Sequence, residues 1–308
     1  MTLPASPPAG ADRRKSIDCG DRMLARLDQG AGDPILLLHG WPEFSGVWEP
    51  VMARLADGGF RTIAPDLRGF GASGAADTAP SSEVGEDVHA RDMWRLVDAL
   101  GIGRFGIVGH DLGAVIGQAM ARQMPDRIVG LFFFDCPHGG IGKRWGEPAQ
   151  IHENWHFDFH QMPWAADLIG SSRETCRTYL AHFLDHWAER PGVFDHVLDR
   201  WVDEYIKPGN LQGGFNWYVS RGPARAKAMC DGPAAATPIA TPTCVRWGAA
   251  DRALPAAWGE TLPGYFSDLD FAAFPEAGHF PHFERPDEAA AMIADFFSRH
   301  FCEEAPQC

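Results

Sequence analysis

The sequence is poor in positive charge, has no closely spaced cysteines and lacks any long apolar run, and each absence excludes a class of function. Its 27 Lys and Arg stand against 41 Asp and Glu, and the net charge of -14 repels nucleic acid and anionic membrane surfaces. Seven scattered cysteines without a CxxC pair predict neither a disulfide framework nor a zinc site. No stretch approaches the roughly 20 apolar residues of a membrane span, and none resembles a signal peptide. We therefore expect a cytoplasmic protein with a small-molecule substrate and no nucleic-acid or membrane partner, and a homodimer is compatible with these features.

Motifs that bind nucleotides or metals are also missing from the chain. There is no P-loop and no HExxH. Gly101 and Gly103 precede a predicted strand, whereas the glycines of a dinucleotide fingerprint open a helix. We therefore expect no cofactor and no metal.

Apolar and aromatic residues are abundant. The hydrophobic fraction is 45%, with 20 Phe and 11 Trp, which is typical of a folded globular protein because disordered chains lack such aromatic content. At 308 residues the chain is about twice the usual length of one domain, so a core domain carrying a second, smaller unit is expected.

Four continuous apolar runs predict buried strands, and helical periodicity lies between them. The runs are PILLLHG (34–40), RTIAPDL (61–67), FGIVGHD (105–111) and IVGLFFFD (128–135). Parallel strands that are covered on both faces have this appearance. The same alternation resumes after residue 242, so the sequence predicts an α/β fold with a mostly parallel central sheet flanked by helices.

Residues 139–235 have a different character. Strand-like runs vanish there, and Trp, His and Phe accumulate among helical segments. We interpret this segment as an inserted helical cap domain. The core then consists of residues 17–138 and 236–303, and residues 1–16 are expected to form a flexible leader.

The segment GIVGHDLGAVIG carries the strongest chemical signal. A predicted strand ends at Gly109, Asp111 follows after one residue, and a helix begins at once beyond Gly113. This is the strand, sharp turn and helix of a nucleophile elbow, whose usual form is GxSxG, with Asp in place of Ser. The alternative is an ordinary turn in which Asp111 caps the helix.

Two further segments fall where hydrolases with such an elbow place their other parts. HGWP (39–42) follows an early strand, and there we expect the amides of Trp41 and Leu112 to form an oxyanion hole, each worth about 3 kcal/mol. AGHFPHFERP places His279 in a loop between the last strand and the last helix, which makes His279 the predicted base. His282, three residues later, is the competing candidate.

The acid that would orient the base has two candidates, because two strands end suitably. Asp251 lies in the loop after the penultimate strand, and Asp135 ends the fourth strong strand. Asp251 is preferred, and Asp135 remains the alternative acid.

With HGWP, DLRGFGASG, GHDLGA, WGAAD and GHFPHFERP in this order, the chain resembles the α/β-hydrolase group of epoxide hydrolases, haloalkane dehalogenases and fluoroacetate dehalogenases. The resemblance spans about residues 22–300. It implies that Asp111 attacks an electrophilic carbon to form an alkyl-enzyme ester. Water activated by His279 then attacks the ester carbonyl.

The resemblance also implies which cap residues assist the leaving oxygen of an epoxide. Tyr218 in GGFNWYVSR falls at the position of one assisting tyrosine, and His156 in NWHFDFHQMP falls at the position of the other. Aromatic packing within the cap is the alternative role for both. The predicted substrate pocket is aromatic and is lined by Phe157, Trp155, Trp164 and Trp217.

The dehalogenases of the group differ from this chain beside the nucleophile. Haloalkane dehalogenases hold the halide with a Trp where this sequence has Leu112, and fluoroacetate dehalogenases hold the substrate carboxylate with arginines at the positions of Leu112 and Val115. Yet His156 and Tyr218 fall at two of the fluoride-binding positions, with Phe157 at a third. The preferred function is hydrolysis of an apolar epoxide to a vicinal diol, and the alternative is haloacid or haloalkane dehalogenation.

Two other classes of function are disfavoured. A ligand-binding receptor built on the same fold would not need a complete nucleophile, base and acid. A serine esterase would need a Ser at the elbow, and none is present there.

Overall fold

An eight-stranded, mostly parallel sheet forms the centre of the structure, a computed structural model that describes residues 13–74, 79–233 and 235–302. Its strands are β1 (Lys15–Asp18), β2 (Met23–Gln29), β3 (Asp33–Leu38), β4 (Phe60–Pro65), β5 (Phe105–His110), β6 (Ile128–Phe134), β7 (Thr243–Gly248) and β8 (Leu269–Phe274). Their order is β1-β2-β4-β3-β5-β6-β7-β8. Strand β2 pairs antiparallel with β1 and β4, and all other neighbouring pairs are parallel.

Helices follow most of the strands. They are α1 (Glu49–Asp57), α2 (Glu86–Ala99), α3 (Leu112–Gln123), α4 (Pro148–Glu153), α5 (His156–Phe159), α6 (Ala165–Ile169), α7 (Arg173–Trp187), α8 (Leu198–Tyr205), α9 (Asn210–Asp231), α10 (Pro281–Glu284) and α11 (Pro286–Cys302). The predicted α/β architecture with a mostly parallel sheet is confirmed. Among the described residues, no helix is both long enough and apolar enough to cross a bilayer.

Strands β5 and β6 lie in the middle of the sheet and are buried along their whole length. Helices cover both faces of a parallel sheet, so strands at its centre must be apolar on both sides, as the sequence runs are. The carboxyl ends of β3, β5, β6 and β7 consequently meet at one edge, and the loops that leave this edge carry Trp41, Asp111, Asp135 and Asp251.

Six helices, α4 to α9, lie in the chain between β6 and β7. They occupy most of the segment that the sequence assigns to a cap (139–235). The division into core and cap remains a prediction. The predicted end of the core, residue 303, lies outside the described residues.

The predicted leader (1–16) overlaps the first strand by two residues. Residues 1–12 lie outside the described residues, but β1 already begins at Lys15, inside the range 1–16. The Arg14 side chain is 5% exposed and bonds to Asp66 at 2.8 Å and to Glu204 at 2.6 Å. Two buried carboxylates therefore fix this part of the chain. The sequence near the N-terminus does not reveal this constraint, because both carboxylates lie far away along the chain.

The elbow after β5 requires very close approach between strand and helix. A Cβ atom on Gly113, the second residue of α3, would lie 2.1 Å from the Leu38 carbonyl oxygen of β3. That oxygen belongs to the backbone of a central strand and cannot move aside cheaply. Glycine at this position therefore allows α3 to begin directly beside the sheet.

We predict that Gly113→Ala destabilises the protein by about 2–3 kcal/mol, because the added methyl group displaces sheet backbone. The matched control is Gly103→Ala, since a Cβ at that exposed position meets nothing within 4 Å. The measurement is the free energy of unfolding in urea for both variants. Equal stabilities of the two variants would contradict this account of the elbow.

Candidate active site

Asp111 lies in a strained turn between β5 and α3. Its backbone has φ 48° and ψ -112°, a conformation that costs energy in any residue other than glycine and is found mainly at functional sites. Asp111 occupies the cap position of α3, yet its side chain makes no capping hydrogen bond. Its Oδ2 instead accepts from the Trp41 amide at 3.2 Å. The carboxyl group therefore faces the loop after β3, as a nucleophile requires and a simple helix cap does not.

Two backbone amides point at the Asp111 carboxyl group, those of Trp41 and Leu112. Burial raises the pKa of Asp111 above its ordinary value, while the charges of His279 and His110 and the two amides oppose this rise. A carboxylate with a raised pKa is the better nucleophile, and the two amides stabilise negative charge on the carboxyl group.

The loop that carries Trp41 is held by its own side chains. His39 Nδ1 donates to the Gly40 carbonyl at 2.8 Å, and Nε2 accepts from the Leu67 amide at 3.0 Å. Gly40 packs against the nucleophile, because a Cβ atom there would lie 2.7 Å from the Cβ of Asp111. The HGWP segment thus forms a hydrogen-bonded turn that lies directly against Asp111, and its role as an oxyanion hole remains a prediction.

His279 is bound to Asp251. Its Nδ1 donates to Asp251 Oδ2 at 2.9 Å, and its backbone amide donates to the Trp187 carbonyl at 2.8 Å. Burial disfavours the imidazolium, but the negative charges of Asp251 and Asp111 outweigh burial and hold the pKa of His279 above its ordinary value. With Nδ1 occupied by Asp251, the other ring nitrogen of His279 is left for a water molecule.

Asp135 lies close to His279 and Asp251 but has a different hydrogen-bond partner. Its Oδ1 accepts from the Gly248 amide at 2.8 Å, and Oδ2 lies 3.9 Å from His110 Nε2. Burial and then the charge of Asp251 raise the pKa of Asp135 well above its ordinary value. His279 Nδ1 bonds directly to Asp251, whereas Asp135 bonds to a backbone amide, so the geometry favours Asp251 over Asp135 as the partner of His279.

A second buried network lies directly behind the nucleophile and was not found from the sequence. Glu43 Oε2 accepts from the Gly40 amide at 2.8 Å and bonds to His110 Nδ1 at 2.9 Å, while Oε1 bonds to His282 Nε2 at 3.0 Å. Burial opposes ionisation of Glu43, but the two histidines hold its pKa well below the ordinary value. His110 Nε2 donates to the His279 carbonyl at 2.6 Å.

This network ties the loop after β3, the elbow and the histidine loop to one another. It also accounts for His282, the competing base, which is fully buried and bonded to Glu43. Burial lowers the pKa of His282 to about 4. The signal available in the sequence was an acidic residue placed directly after HGWP, before an otherwise apolar stretch.

A cavity of about 420 Å³ opens onto Asp111, Leu112 and His279 and is lined in part by aromatic side chains. Tyr218 of α9 and His156 of α5 lie in its wall and are almost fully buried. Among the described residues, neither the Tyr218 hydroxyl nor His156 Nδ1 has a hydrogen-bond partner. Burial raises the pKa of Tyr218 well above its ordinary value and lowers that of His156 well below, so both are neutral and each can donate a hydrogen bond.

Trp41 connects these donors to the nucleophile. Its amide binds Asp111, its indole ring stacks on His156 with ring centroids 5.2 Å apart, and the Tyr218 ring meets it edge-on at 5.9 Å. One rigid residue therefore sets the distance between the carboxylate and the two donors.

The four predicted pocket residues divide into two pairs. Phe157 and Trp217 line the cavity. Trp155 and Trp164 do not; they are 40% and 53% exposed, and the prediction that they line the pocket is wrong. Trp155 packs instead against Phe183 of α7, with ring centroids 5.5 Å apart. An aromatic composition does not reveal which side of a short helix faces the core.

Two groups of side chains among the described residues are close enough to share a metal ion, Glu43 with His110 and His282, and Asp135 with Asp251 and His279. In both groups hydrogen bonds join the histidines to the carboxylates. Hydrogen bonds among Glu43, His110 and His282, and between Asp251 and His279, therefore already occupy most of these ligand atoms.

Comparison with known proteins shows the family to which the chain belongs. Residues 33–286 match the family model of the alpha/beta hydrolase fold. The soluble epoxide hydrolase of Corynebacterium sp. (strain C12) is 30% identical over 281 residues, which cover 87% of this chain and 91% of that protein. The fluoroacetate dehalogenase of Burkholderia sp. is 26% identical over 295 residues, which cover 92% and 93% of the two chains. A solved structure of the epoxide hydrolase CorEH without ligand has a TM-score of 0.80 at 25% identity and covers 93% of this chain and 98% of that one.

The family match spans most of the chain, and the strand order and the elbow after β5 are consistent with it. The chain therefore belongs to the α/β-hydrolase fold family and is a hydrolase similar to epoxide hydrolases.

Proposed function

We propose that the protein is an epoxide hydrolase that converts an apolar epoxide to a vicinal diol, with aromatic side chains in contact with the apolar part of the substrate. The observation that carries this proposal is the pairing of a carboxylate, Asp111, with two neutral hydrogen-bond donors, Tyr218 and His156, around one cavity. An epoxide needs both parts at once, because a carbon is attacked while the ring oxygen takes up negative charge.

In the first step an Asp111 oxygen attacks an oxirane carbon, the carbon–oxygen bond of the ring breaks, and an ester forms. The electron pair of the broken bond stays on the ring oxygen as an alkoxide. Tyr218 and His156 stabilise this oxygen by hydrogen bonding and supply its proton. The raised pKa of Tyr218 keeps the phenol protonated until that moment.

In the second step His279 removes a proton from a water molecule that attacks the ester carbonyl of Asp111. The tetrahedral oxyanion develops on the oxygen that already accepts from Trp41, so the Trp41 and Leu112 amides stabilise it without rearrangement. Asp251 stabilises the imidazolium that forms on His279. Collapse of the intermediate expels the ester oxygen, which takes the proton from His279 and completes the diol. The proton left on the Asp111 carboxyl group returns to the donor that protonated the ring oxygen, which restores the carboxylate and the neutral donor.

Helices α4 to α9 act as a cap in this proposal, since α5 and α9 supply His156 and Tyr218. Dehalogenation is the weaker candidate. The fluoroacetate dehalogenase relative makes it worth testing, but Leu112 and Val115 place no cation beside Asp111 to hold the carboxylate of a short haloacid. The cytoplasmic location and the homodimer remain predictions.

We predict that His279→Gln stops the reaction at the ester. Incubation with styrene oxide should add the mass of one substrate to the intact protein, located on the peptide that contains Asp111, and His279→Gln/Asp111→Asn should show no adduct. The matched control is His152→Gln, an exposed histidine of α4, which should turn over without accumulating an adduct. A ligand-binding receptor would bind the epoxide in every variant and form no covalent product.

We predict that kcat falls as the pH drops through the raised pKa of His279, because a protonated imidazole cannot act as a base. Asp251→Asn removes a charge that raises this pKa, so the acid limb of the pH–rate profile should move to lower pH, and kcat should fall about 100-fold or more. Asp135 is not among the groups whose charge raises the pKa of His279, so Asp135→Asn should leave the limb in place. The opposite pattern would make Asp135 the acid.

We predict that Tyr218→Phe slows the alkylation step about 100-fold, because the ring oxygen loses one of its two donors. Pre-steady-state quenching of tryptophan fluorescence should report this step, since Trp41 lies against both donors. The rate of ester hydrolysis should stay close to that of the wild type. A variant with normal alkylation and slow hydrolysis would show that Tyr218 serves the second step instead.

A further inference from the structure

Arg225 is a nearly buried cation in the wall of the same cavity. Its side chain is 10% exposed, and its guanidinium lies 4.1 Å from the ring centroid of Phe157 and 5.6 Å from that of Trp145. Burial lowers the pKa of Arg225 below its ordinary value, a sign that the charge has lost much of its water. Both aromatic rings line the cavity beside it.

The protein itself does little to neutralise this charge. Within the described residues Arg225 makes no hydrogen bond, its Nε is buried without a partner, and the nearest carboxylate oxygen, of Asp158, is 3.7 Å away on a side chain that is 72% exposed. Because the Asp158 carboxylate is mostly in solvent, its attraction for Arg225 is screened and contributes little. Arg221, one turn earlier on α9 and also in the cavity wall, is different because its guanidinium hydrogen-bonds to Glu86.

Helix α9 fixes the distance between Arg225 and Tyr218, one of the two proposed hydrogen-bond donors. Tyr218 and Arg225 are seven residues apart on α9, which places them on the same face about 10 Å apart along the helix axis. Phe157 touches both, with its ring centroid 5.0 Å from that of Tyr218. A ligand whose oxirane lies at Tyr218 can therefore reach Arg225 with a chain that runs along Phe157.

We propose that Arg225 binds the carboxylate of an epoxy acid whose oxirane and carboxylate are separated by an apolar chain. This proposal rests on the epoxide hydrolase activity proposed above. A guanidinium presents two parallel N–H groups that match a carboxylate, and a partly dry cavity strengthens such a pair. The sequence predicts an apolar epoxide as substrate, and this proposal adds an anionic group at the far end of that substrate. Short haloacids do not fit the site, because their carboxylate adjoins the reacting carbon and cannot reach Arg225.

The test compares ω-epoxydecanoate with its methyl ester on wild type, Arg225→Met, Arg225→Lys and the control Arg221→Met. Wild type should prefer the acid, and Arg225→Met should lower kcat/KM for the acid roughly 10- to 100-fold, mainly through KM, while leaving the ester within about twofold. Arg225→Lys should retain part of the preference, and Arg221→Met should retain all of it. Equal losses for acid and ester in Arg225→Met would show a structural role and overturn the proposal.

Decanoate binding, measured by calorimetry, separates this proposal from the proposed activity. If wild type binds decanoate and Arg225→Met does not, the carboxylate site stands even when both epoxides prove inert, and the epoxide hydrolase proposal fails. If the ester is hydrolysed but decanoate binds wild type and Arg225→Met equally, the carboxylate site fails and the activity stands.

Discussion

The hydrogen bond from the Trp41 amide to Asp111 Oδ2 joins the two loops on which the proposed chemistry depends. One loop leaves β3 and the other leaves β5, and adjacent parallel strands bring their carboxyl ends together. The bond leaves one carboxyl oxygen free to attack and prepares the other to become an oxyanion. The strained backbone of Asp111 and the close packing of Gly40 and Gly113 hold the carboxyl group where it can form this hydrogen bond.

Two buried networks of ionisable side chains lie close to that bond. In one, His279 bonds to Asp251, while burial and the nearby Asp251 carboxylate raise the pKa of Asp135 well above its ordinary value. In the other, Glu43 is ionised because His110 and His282 surround it. The pKa values of neighbouring carboxylic acids are thus shifted in opposite directions, which is how one active site can contain groups with different acid–base roles.

The sequence predicted those parts of the molecule that depend on local pattern. Continuous apolar runs gave the central strands, and the glycines around Asp111 gave the elbow, because each depends on a few adjacent residues. The choice between Asp251 and Asp135 could not be made this way, since both end a strand and only burial and mutual repulsion distinguish them.

Other features depended on contacts between distant segments. Arg14 is fixed by ion pairs with Asp66 and Glu204, which lie far away in the sequence. Trp155 lies outside the cavity because it packs on α7. Arg225 can be recognised as a candidate ligand-binding residue only once α9 is known to line the cavity and to carry Tyr218 two turns earlier.

The most direct test of a carboxylate nucleophile is a single turnover in water labelled with ¹⁸O, with enzyme in excess over styrene oxide. The diol should carry unlabelled oxygen from Asp111, and the peptide that contains Asp111 should gain the label, because water attacks the ester carbonyl. Label in the first-formed diol, with none in that peptide, would mean that water attacks the epoxide directly and would contradict the central role given to Asp111.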